Sequence, residues 1–221
     1  VIAFHEDENQ IAFIMEFIQG EELKALIPKN GFSLEEALQY LQQIAEAVDY
    51  LHSKGVIHRD LKPANVKIRP DGSPVILDLG IAKEQDAALS SMTQTGTAMG
   101  TQAYMAPEQL DAKNVNAKAD QYALAMMTYE MLSGSFPWTM GESSARITVA
   151  KMTGSLKELS EVSAIDKAES NAVMRGLSLD AEKRYASCVA FVAAIRNAKE
   201  NHQDEQEEER KQQEQQRKEE Q

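Results

Sequence analysis

Residues 58–65 read His-Arg-Asp-Leu-Lys-Pro-Ala-Asn, and this stretch decides how the rest of the chain is interpreted. It brings a carboxylate (Asp60), a cation (Lys62) and an amide (Asn65) into one short loop. Phosphoryl transfer depends on positioning and charge neutralisation, which a base, a phosphate-binding cation and an oxygen ligand for a metal supply. Several positions must be right together, so the match is more specific than a lone glycine motif. The stretch therefore predicts a phosphoryl-transfer enzyme.

Composition limits the classes of protein that remain. The chain has 221 residues, of which 43% are hydrophobic, so it can bury the core of one large or two small domains. Its formal net charge is -12. Nucleic acids and anionic lipids favour basic surfaces, so this charge argues against nucleic-acid partners and general lipid binding.

The chain has a single cysteine, Cys188, which cannot form an internal disulfide. We expect a reducing, cytoplasmic location, no metal site built from cysteines, and a core position for Cys188. The sequence contains no apolar run of about 18 residues, so it predicts no membrane span. The chain starts at Val1 inside an apolar segment, which suggests that the N-terminal part of a longer protein is missing.

Periodicity predicts strands first and helices later. A hairpin is expected from strands at 1–4 and 11–17. A capping box at 33–36 should start a helix that ends near Gly55, and two short strands should follow at 66–68 and 75–77. Residues 84–99 lack a hydrophobic pattern and predict a mobile loop.

The second half of the chain predicts helices. Residues 122–132 are too apolar for a surface helix and predict a buried central one. Further helices are expected at 143–152, 164–177 and 187–198. Residues 199–221 contain no aliphatic residue, which predicts a solvated helix or disordered linker, with a partner-binding segment as the alternative.

Several short motifs follow one another along the chain in a fixed order. They are residues 58–65, Asp78-Leu79-Gly80, Gly100-Thr101, Ala106-Pro107-Glu108, Asp120 and Arg184. With them the chain resembles the catalytic domain of protein kinases, and within that family the eukaryotic-like (Hanks-type) Ser/Thr kinases of bacteria. The resemblance implies an α+β fold: residues 1–18 as a hairpin remnant of the β-rich N-terminal lobe, 19–198 as the mostly helical C-terminal lobe, and 199–221 as a charged tail.

The resemblance also implies roles for the residues of the central loop, with ATP and Mg²⁺ as cofactors. Asp60 would act as base and Lys62 would reach the γ-phosphate. Asn65 and Asp78 would bind Mg²⁺, which prefers oxygen ligands. Thr101 would hydrogen-bond Asp60 and Lys62. Lys62 and Thr101 together favour Ser/Thr over Tyr substrates.

Met15-Glu16-Phe17-Ile18 resembles the hinge between kinase lobes. The resemblance implies that the backbone of Glu16 and Ile18 binds adenine and that Met15 fills the back of the pocket. Lys67 stands where the family has an apolar residue beneath adenine, so its aliphatic stem would cover the base while its ammonium reaches solvent. A plain strand end remains the alternative.

The loop after Leu79 contains the expected regulatory residues. The resemblance implies autophosphorylation at Thr93 and Thr95, with Arg59 pairing with the phosphorylated loop. A merely flexible polar loop is the alternative. His58 is expected to be structural, packing under Leu79.

Glu108 and Arg184 are expected to form a buried ion pair that anchors the loop to the helical lobe. This is a structural role rather than a catalytic one.

Three kinase parts are missing from the sequence: a Gly-rich loop, the strand lysine for the α and β phosphates, and its glutamate partner. We therefore expect the chain alone to be weakly active or inactive. The leading hypothesis is a Ser/Thr protein kinase acting on proteins, with a kinase dimer for trans-autophosphorylation and a parent protein that could be membrane-anchored. The alternatives are a non-catalytic pseudokinase scaffold and a small-molecule kinase of the aminoglycoside type.

Overall fold

The computed structural model describes residues 3–6, 11–78, 102–110, 115–138 and 143–219. The predicted mobile loop at 84–99 lies outside these ranges, and so do Leu79, Thr93, Thr95 and Thr101.

The described strands form two small antiparallel sheets. They are β1 (Ala3–Glu6), β2 (Ile11–Ile14), β3 (Glu21–Glu22), β4 (Val66–Ile68) and β5 (Pro74–Ile76). The predicted hairpin is confirmed, since β1 pairs with β2 and Ala3 lies opposite Ile14. β2 is shorter than expected and ends at Ile14. The other sheet has the order β3-β4-β5. The two predicted short strands are confirmed as β4 and β5, which pair antiparallel, and β5 lies one residue earlier than expected.

Seven helices are found in the described ranges. They are α1 (Leu23–Leu26), α2 (Leu34–Ser53), α3 (Pro107–Leu110), α4 (Ala117–Ser133), α5 (Ser144–Thr153), α6 (Lys167–Gly176) and α7 (Cys188–Glu219). The predicted positions of the long helices are confirmed to within a few residues, apart from the end of α7. The architecture is α+β and mostly helical.

Helix α2 starts at the predicted capping box. The backbone N–H of Glu36 donates to Ser33 Oγ at 3.3 Å, and the N–H of Ser33 donates to Glu36 Oε2 at 3.0 Å. These bonds satisfy N–H groups that have no partner within the helix. The apolar face of α2 is buried through Ala37, Leu38, Leu41, Ile44, Ala45 and Val48.

Helix α4 is the centre of the core, as its all-round apolar sequence predicted. Every residue from Ala119 to Ser133 is buried. The helix ends at Gly134, whose φ of 69° lies in the left-handed region. A Cβ there would lie 2.1 Å from the carbonyl oxygen of Lys29, so the chain needs glycine at this position.

Helix α7 packs against α2 and α6 with Phe191, Val192 and Ile195 buried. The predicted end at 198 is not seen, because the same helix continues to Glu219. Residues 210–212 and 215–217 are exposed, as expected for a solvated helix. Among the described residues, no helix combines the length and apolar character that crossing a membrane requires.

Candidate active site

The loop that carries Asp60 is hydrogen-bonded to one buried carboxylate on α4, that of Asp120. Asp120 is 1% exposed, and its two oxygens accept the backbone N–H groups of His58 and Arg59, each at 2.8 Å. Arg59 has a φ of 66°, a conformation that residues with a Cβ rarely adopt. The two charge-assisted hydrogen bonds compensate for this strain. The central helix therefore fixes the turn that leads into Asp60.

Asp60 receives two side-chain donors from its own loop. Lys62 Nζ and Asn65 Nδ2 each lie 3.1 Å from Asp60 Oδ2. A neighbouring cation and an amide donor stabilise the negative charge on the carboxylate. The three residues that the sequence singled out are thus brought together.

Asn65 is oriented by a second bond. Its Nδ2 also donates to the carbonyl oxygen of Asp60 at 2.9 Å. Asn65 ends a short 3₁₀ turn, Pro63–Asn65, and is buried. With the nitrogen side committed to Asp60, the amide presents Oδ1 as its acceptor, which is the atom a hard metal ion binds.

Asp78 follows β5 and is placed beside this loop by the backbone. The N–H of Leu77 donates to the carbonyl oxygen of Asn65 at 2.8 Å. Asp78 itself is exposed and has a φ of 55°, a left-handed conformation that Asp tolerates better than most residues. The structure thus brings both predicted metal ligands to neighbouring backbone positions.

His58 links the loop to the strand that precedes Asp78. Its ring is fully buried, with Nε2 3.0 Å from the carbonyl oxygen of Leu77 and Nδ1 3.3 Å from the N–H of Asp60. A carbonyl can only accept and an N–H can only donate, so Nε2 carries the hydrogen and Nδ1 accepts. This contact supports the predicted structural role, although the partner seen is Leu77, and Leu79 lies outside the described residues.

Much of the predicted hinge is exposed to solvent in this chain. The side chains of Met15 and Phe17 are 55% and 84% exposed. The Lys67 ammonium, which was expected to reach solvent, lies 3.3 Å from the carbonyl oxygen of Ile18 and 5.6 Å from the centroid of the Phe17 ring. Lys67 thus binds one of the backbone groups that the sequence assigned to adenine.

The predicted Glu108–Arg184 ion pair is confirmed. Two parallel bonds of 2.6 and 2.9 Å join the carboxylate to the guanidinium. Arg184 is buried and lies over the Tyr122 ring, and it also donates to the carbonyl oxygen of Lys118. Next to the pair, Gln109 Nε2 donates to the carbonyl oxygen of Arg59 at 3.1 Å, which ties this segment to the Asp60 loop.

Sequence reasoning missed Lys151, a fully buried lysine on α5. Its Nζ donates to the carbonyl oxygens of Gln102 and Met105 at 3.0 and 2.6 Å, and the aromatic rings of Tyr122 and Trp138 lie 5.3 and 5.6 Å from it. Burial lowers the pKa of Lys151 well below its usual value. No local pattern distinguishes this lysine from the exposed ones, so the sequence offered no signal for it.

The comparisons with known proteins agree with this geometry. Residues 1–198 match the family model described as protein kinase domain. The probable serine/threonine-protein kinase PknB of Lactococcus lactis is 35% identical over 184 residues, which are 81% of this chain and 28% of that protein. Serine/threonine-protein kinase PknA of Mycobacterium tuberculosis is 42% identical over 133 residues, 59% of this chain and 30% of that protein.

The similarity extends to solved structures. The crystal structure of Rad53 1-466 in complex with AMP-PNP matches with a TM-score of 0.70 at 24% identity, covering 88% of this chain and 49% of that one. This likeness shows the fold. The chain spans less than a third of the length of the curated relatives above.

Proposed function

This chain belongs to the protein kinase domain family, and from that premise we propose that it is the catalytic part of a Ser/Thr protein kinase. It transfers the γ-phosphate of ATP to hydroxyl groups of proteins. The observation that carries the proposal is the cluster of Asp60, Lys62 and Asn65, joined by bonds of 3.1 Å, on a loop that Asp120 fixes.

Each residue of the cluster has a distinct task. Asp60 binds the substrate hydroxyl and accepts its proton as the oxygen attacks phosphorus. Lys62 neutralises charge on the transferred phosphoryl group, and its contact with Asp60 supports a position beside the attacking oxygen. Thr101 is assigned to hold this pair, as its place in the family motif implies.

Mg²⁺ fits the donor set of the site. Asn65 offers Oδ1, because its Nδ2 is bound to Asp60, and Asp78 offers an exposed carboxylate. When bound, the ion neutralises phosphate oxygens. Asn65 and Asp78 come from a helical turn and a strand end that one backbone hydrogen bond joins. These residues orient the nucleotide toward Asp60.

The nucleotide base is assigned to the hinge. The backbone groups of Glu16 and Ile18 hold adenine, with Met15 behind it. Lys67 already binds the Ile18 carbonyl, so adenine uses the N–H of Ile18 and packs on the aliphatic stem of Lys67.

We assign regulation of the kinase to the loop after Leu79. Thr93 and Thr95 are autophosphorylated by a second copy of the kinase, and the Arg59 guanidinium binds the resulting phosphate bidentately. The protein substrates carry Ser or Thr, and the site acts at the cytoplasmic side if the parent protein is membrane-anchored.

The test is phosphate transfer from labelled ATP to a generic Ser/Thr protein substrate by the encoded protein, including any in-frame sequence before Val1. Asp60→Asn should lower the rate by about 10²–10⁴-fold, the usual contribution of a general base. The matched control is Asp71→Asn, on an exposed turn where the side-chain oxygen accepts the N–H of Ser73, a bond that Asn can also make. It should leave the rate unchanged.

Two outcomes would overturn the proposal. Equal rates for the wild type and Asp60→Asn would remove Asp60 from the mechanism. Binding of Mg²⁺-ATP without any transfer would favour a non-catalytic scaffold.

A further inference from the structure

A second cluster of chemically reactive side chains lies on the far end of α2. Asp49 and His52 stand one helical turn apart, and α7 begins beside them at Cys188. The thiol sulfur, one carboxylate oxygen and one imidazole nitrogen all lie within 4.8 Å of one another. The sequence led us to expect no cysteine-based metal site, yet the fold brings the single cysteine beside two ligands of other kinds.

The separation of Asp49 and His52 is close to that of two ligands of a tetrahedral ion. His52 Nδ1 lies 3.8 Å from Asp49 Oδ1, which is too long for a hydrogen bond. Zinc–ligand bonds of about 2.0–2.3 Å place tetrahedral neighbours roughly 3.3–3.6 Å apart. A shift of a few tenths of an ångström would bring the two atoms to that separation.

His52 is already oriented for metal binding by its other nitrogen. His52 Nε2 lies 2.8 Å from Asp120 Oδ2. Both oxygens of Asp120 also accept backbone N–H groups, so the carboxylate acts only as an acceptor and Nε2 supplies the hydrogen. In the neutral ring, Nδ1 then carries a lone pair, and it lies 3.8 Å from Asp49 Oδ1. A carboxylate that holds the distal nitrogen is the usual support of a metal-binding histidine.

The local charge favours a cation. The carboxylate of Asp49 accepts the backbone N–H of Cys188, and the carboxylate of Asp120 lies against the His52 ring, so two negative charges lie beside the cluster. A divalent ion bound here takes the place of the thiol proton and binds the thiolate. Asp49 also caps α7 by accepting the N–H groups of Cys188 and Val189, each at 2.9 Å. Each carboxylate oxygen keeps a further lone pair for the ion.

We propose that Asp49, His52 and Cys188 bind a divalent cation of the zinc class. The mixed sulfur, nitrogen and oxygen ligands favour zinc over magnesium or calcium. Asp49 and His52 are partly exposed and Cys188 is not, so the fourth ligand is a water molecule on the side of Asp49 and His52. Binding exchanges the thiol proton for the metal: one S–H bond breaks, one metal–sulfur bond forms and one proton leaves. No electron is transferred.

The site connects to the catalytic loop through one residue. His52 and the loop share Asp120, so a bound ion would cross-link α2 and α7 and would stiffen the support of His58 and Arg59. This inference concerns residues outside the phosphoryl-transfer cluster and stands independently of the proposed function.

Cobalt(II) titration of the metal-stripped, reduced chain tests the site without an activity assay. Because Cys188 is the only cysteine, a near-ultraviolet thiolate-to-cobalt charge-transfer band reports on this position alone. The expected result is a band that saturates at one cobalt per chain, disappears when zinc is added, and is lost in Cys188→Ser. One proton should be released per ion.

Variants of the other two ligands separate the proposed site from casual thiolate binding. Asp49→Asn keeps one of the two oxygens that accept N–H groups of α7, and His52→Gln keeps a donor for Asp120. The circular dichroism spectrum of each variant is compared with that of the wild type to verify folding before the affinities are compared. Each should weaken cobalt binding at least about tenfold. His202→Gln, on the exposed part of α7, is the matched control and should bind as the wild type does.

Absence of the band with a folded chain and a reduced thiol would overturn the proposal. So would a band of unchanged affinity in Asp49→Asn and His52→Gln.

Discussion

The Glu108–Arg184 pair gives the sharpest test of how this fold is held together. Arg184 is fully buried and makes five hydrogen bonds, two to Glu108 and three to the carbonyl oxygens of Ser178, Lys118 and Leu179. Glu108→Gln keeps the shape of the side chain but removes its negative charge. The guanidinium then stays buried without a compensating anion.

Glu108→Gln should lower the free energy of unfolding by a large amount for a single substitution. Removing one partner of a buried ion pair costs about 3–5 kcal/mol. Two charge-assisted hydrogen bonds at about 1.5–3 kcal/mol each give an overlapping range of about 3–6 kcal/mol. For a chain of this size, about 2–4 °C of melting temperature corresponds to each kcal/mol, so Tm should fall by roughly 6–20 °C.

The assay is urea unfolding followed by circular dichroism and by the fluorescence of Trp138, the only tryptophan. Coincident transitions are required before free energies are compared. The matched control is Glu35→Gln, because Glu35 is 77% exposed and lies 3.7 Å from Lys199. This surface pair should contribute less than about 1 kcal/mol. A loss below about 1 kcal/mol for Glu108→Gln would refute the reasoning.

Three further predictions concern stability. Ser33→Ala removes the capping box of α2 and should lower the free energy of unfolding by about 1 kcal/mol in the same urea assay, whereas no loss would mean that the cap is dispensable. Gly134→Ala should destabilise more than Gly72→Ala; both have positive φ, but only at Gly134 does a Cβ meet backbone, and equal losses would contradict that clash. Because burial lowers the pKa of Lys151 below its usual 10.5, the unfolded state binds more protons between the two pKa values. The wild type should therefore gain stability relative to Lys151→Met as pH rises from 7 toward 10, and a difference independent of pH would contradict this.

Local rules predicted the elements whose signals are local. The capping box located the start of α2, because Ser33 and Glu36 bond each other directly. The all-round apolar stretch from 122 to 132 predicted burial, because such a helix has no face for water. The cluster of Asp60, Lys62 and Asn65 was also predictable, since one short loop carries all three.

Contacts between distant segments were less predictable. Asp120 binds His52 of α2 as well as His58 and Arg59 of the Asp60 loop, and only the fold brings this aspartate to both segments. Lys151 is buried because carbonyl groups and aromatic rings from other segments surround its ammonium. The sequence gives the charge of a side chain, whereas the partners that make burial of that charge tolerable are set by tertiary packing.

The uninterrupted course of α7 has a mechanical consequence. A helix rises about 1.5 Å per residue, so the portion from 199 to 219 is a rod roughly 30 Å long. The N-terminal part of α7, before this rod, packs against α2 and α6, and Asp49 fixes the first turn of α7. A torque or a lateral push applied at Glu219 would therefore act through a lever on the packing around Asp49, close to the residues that support the Asp60 loop.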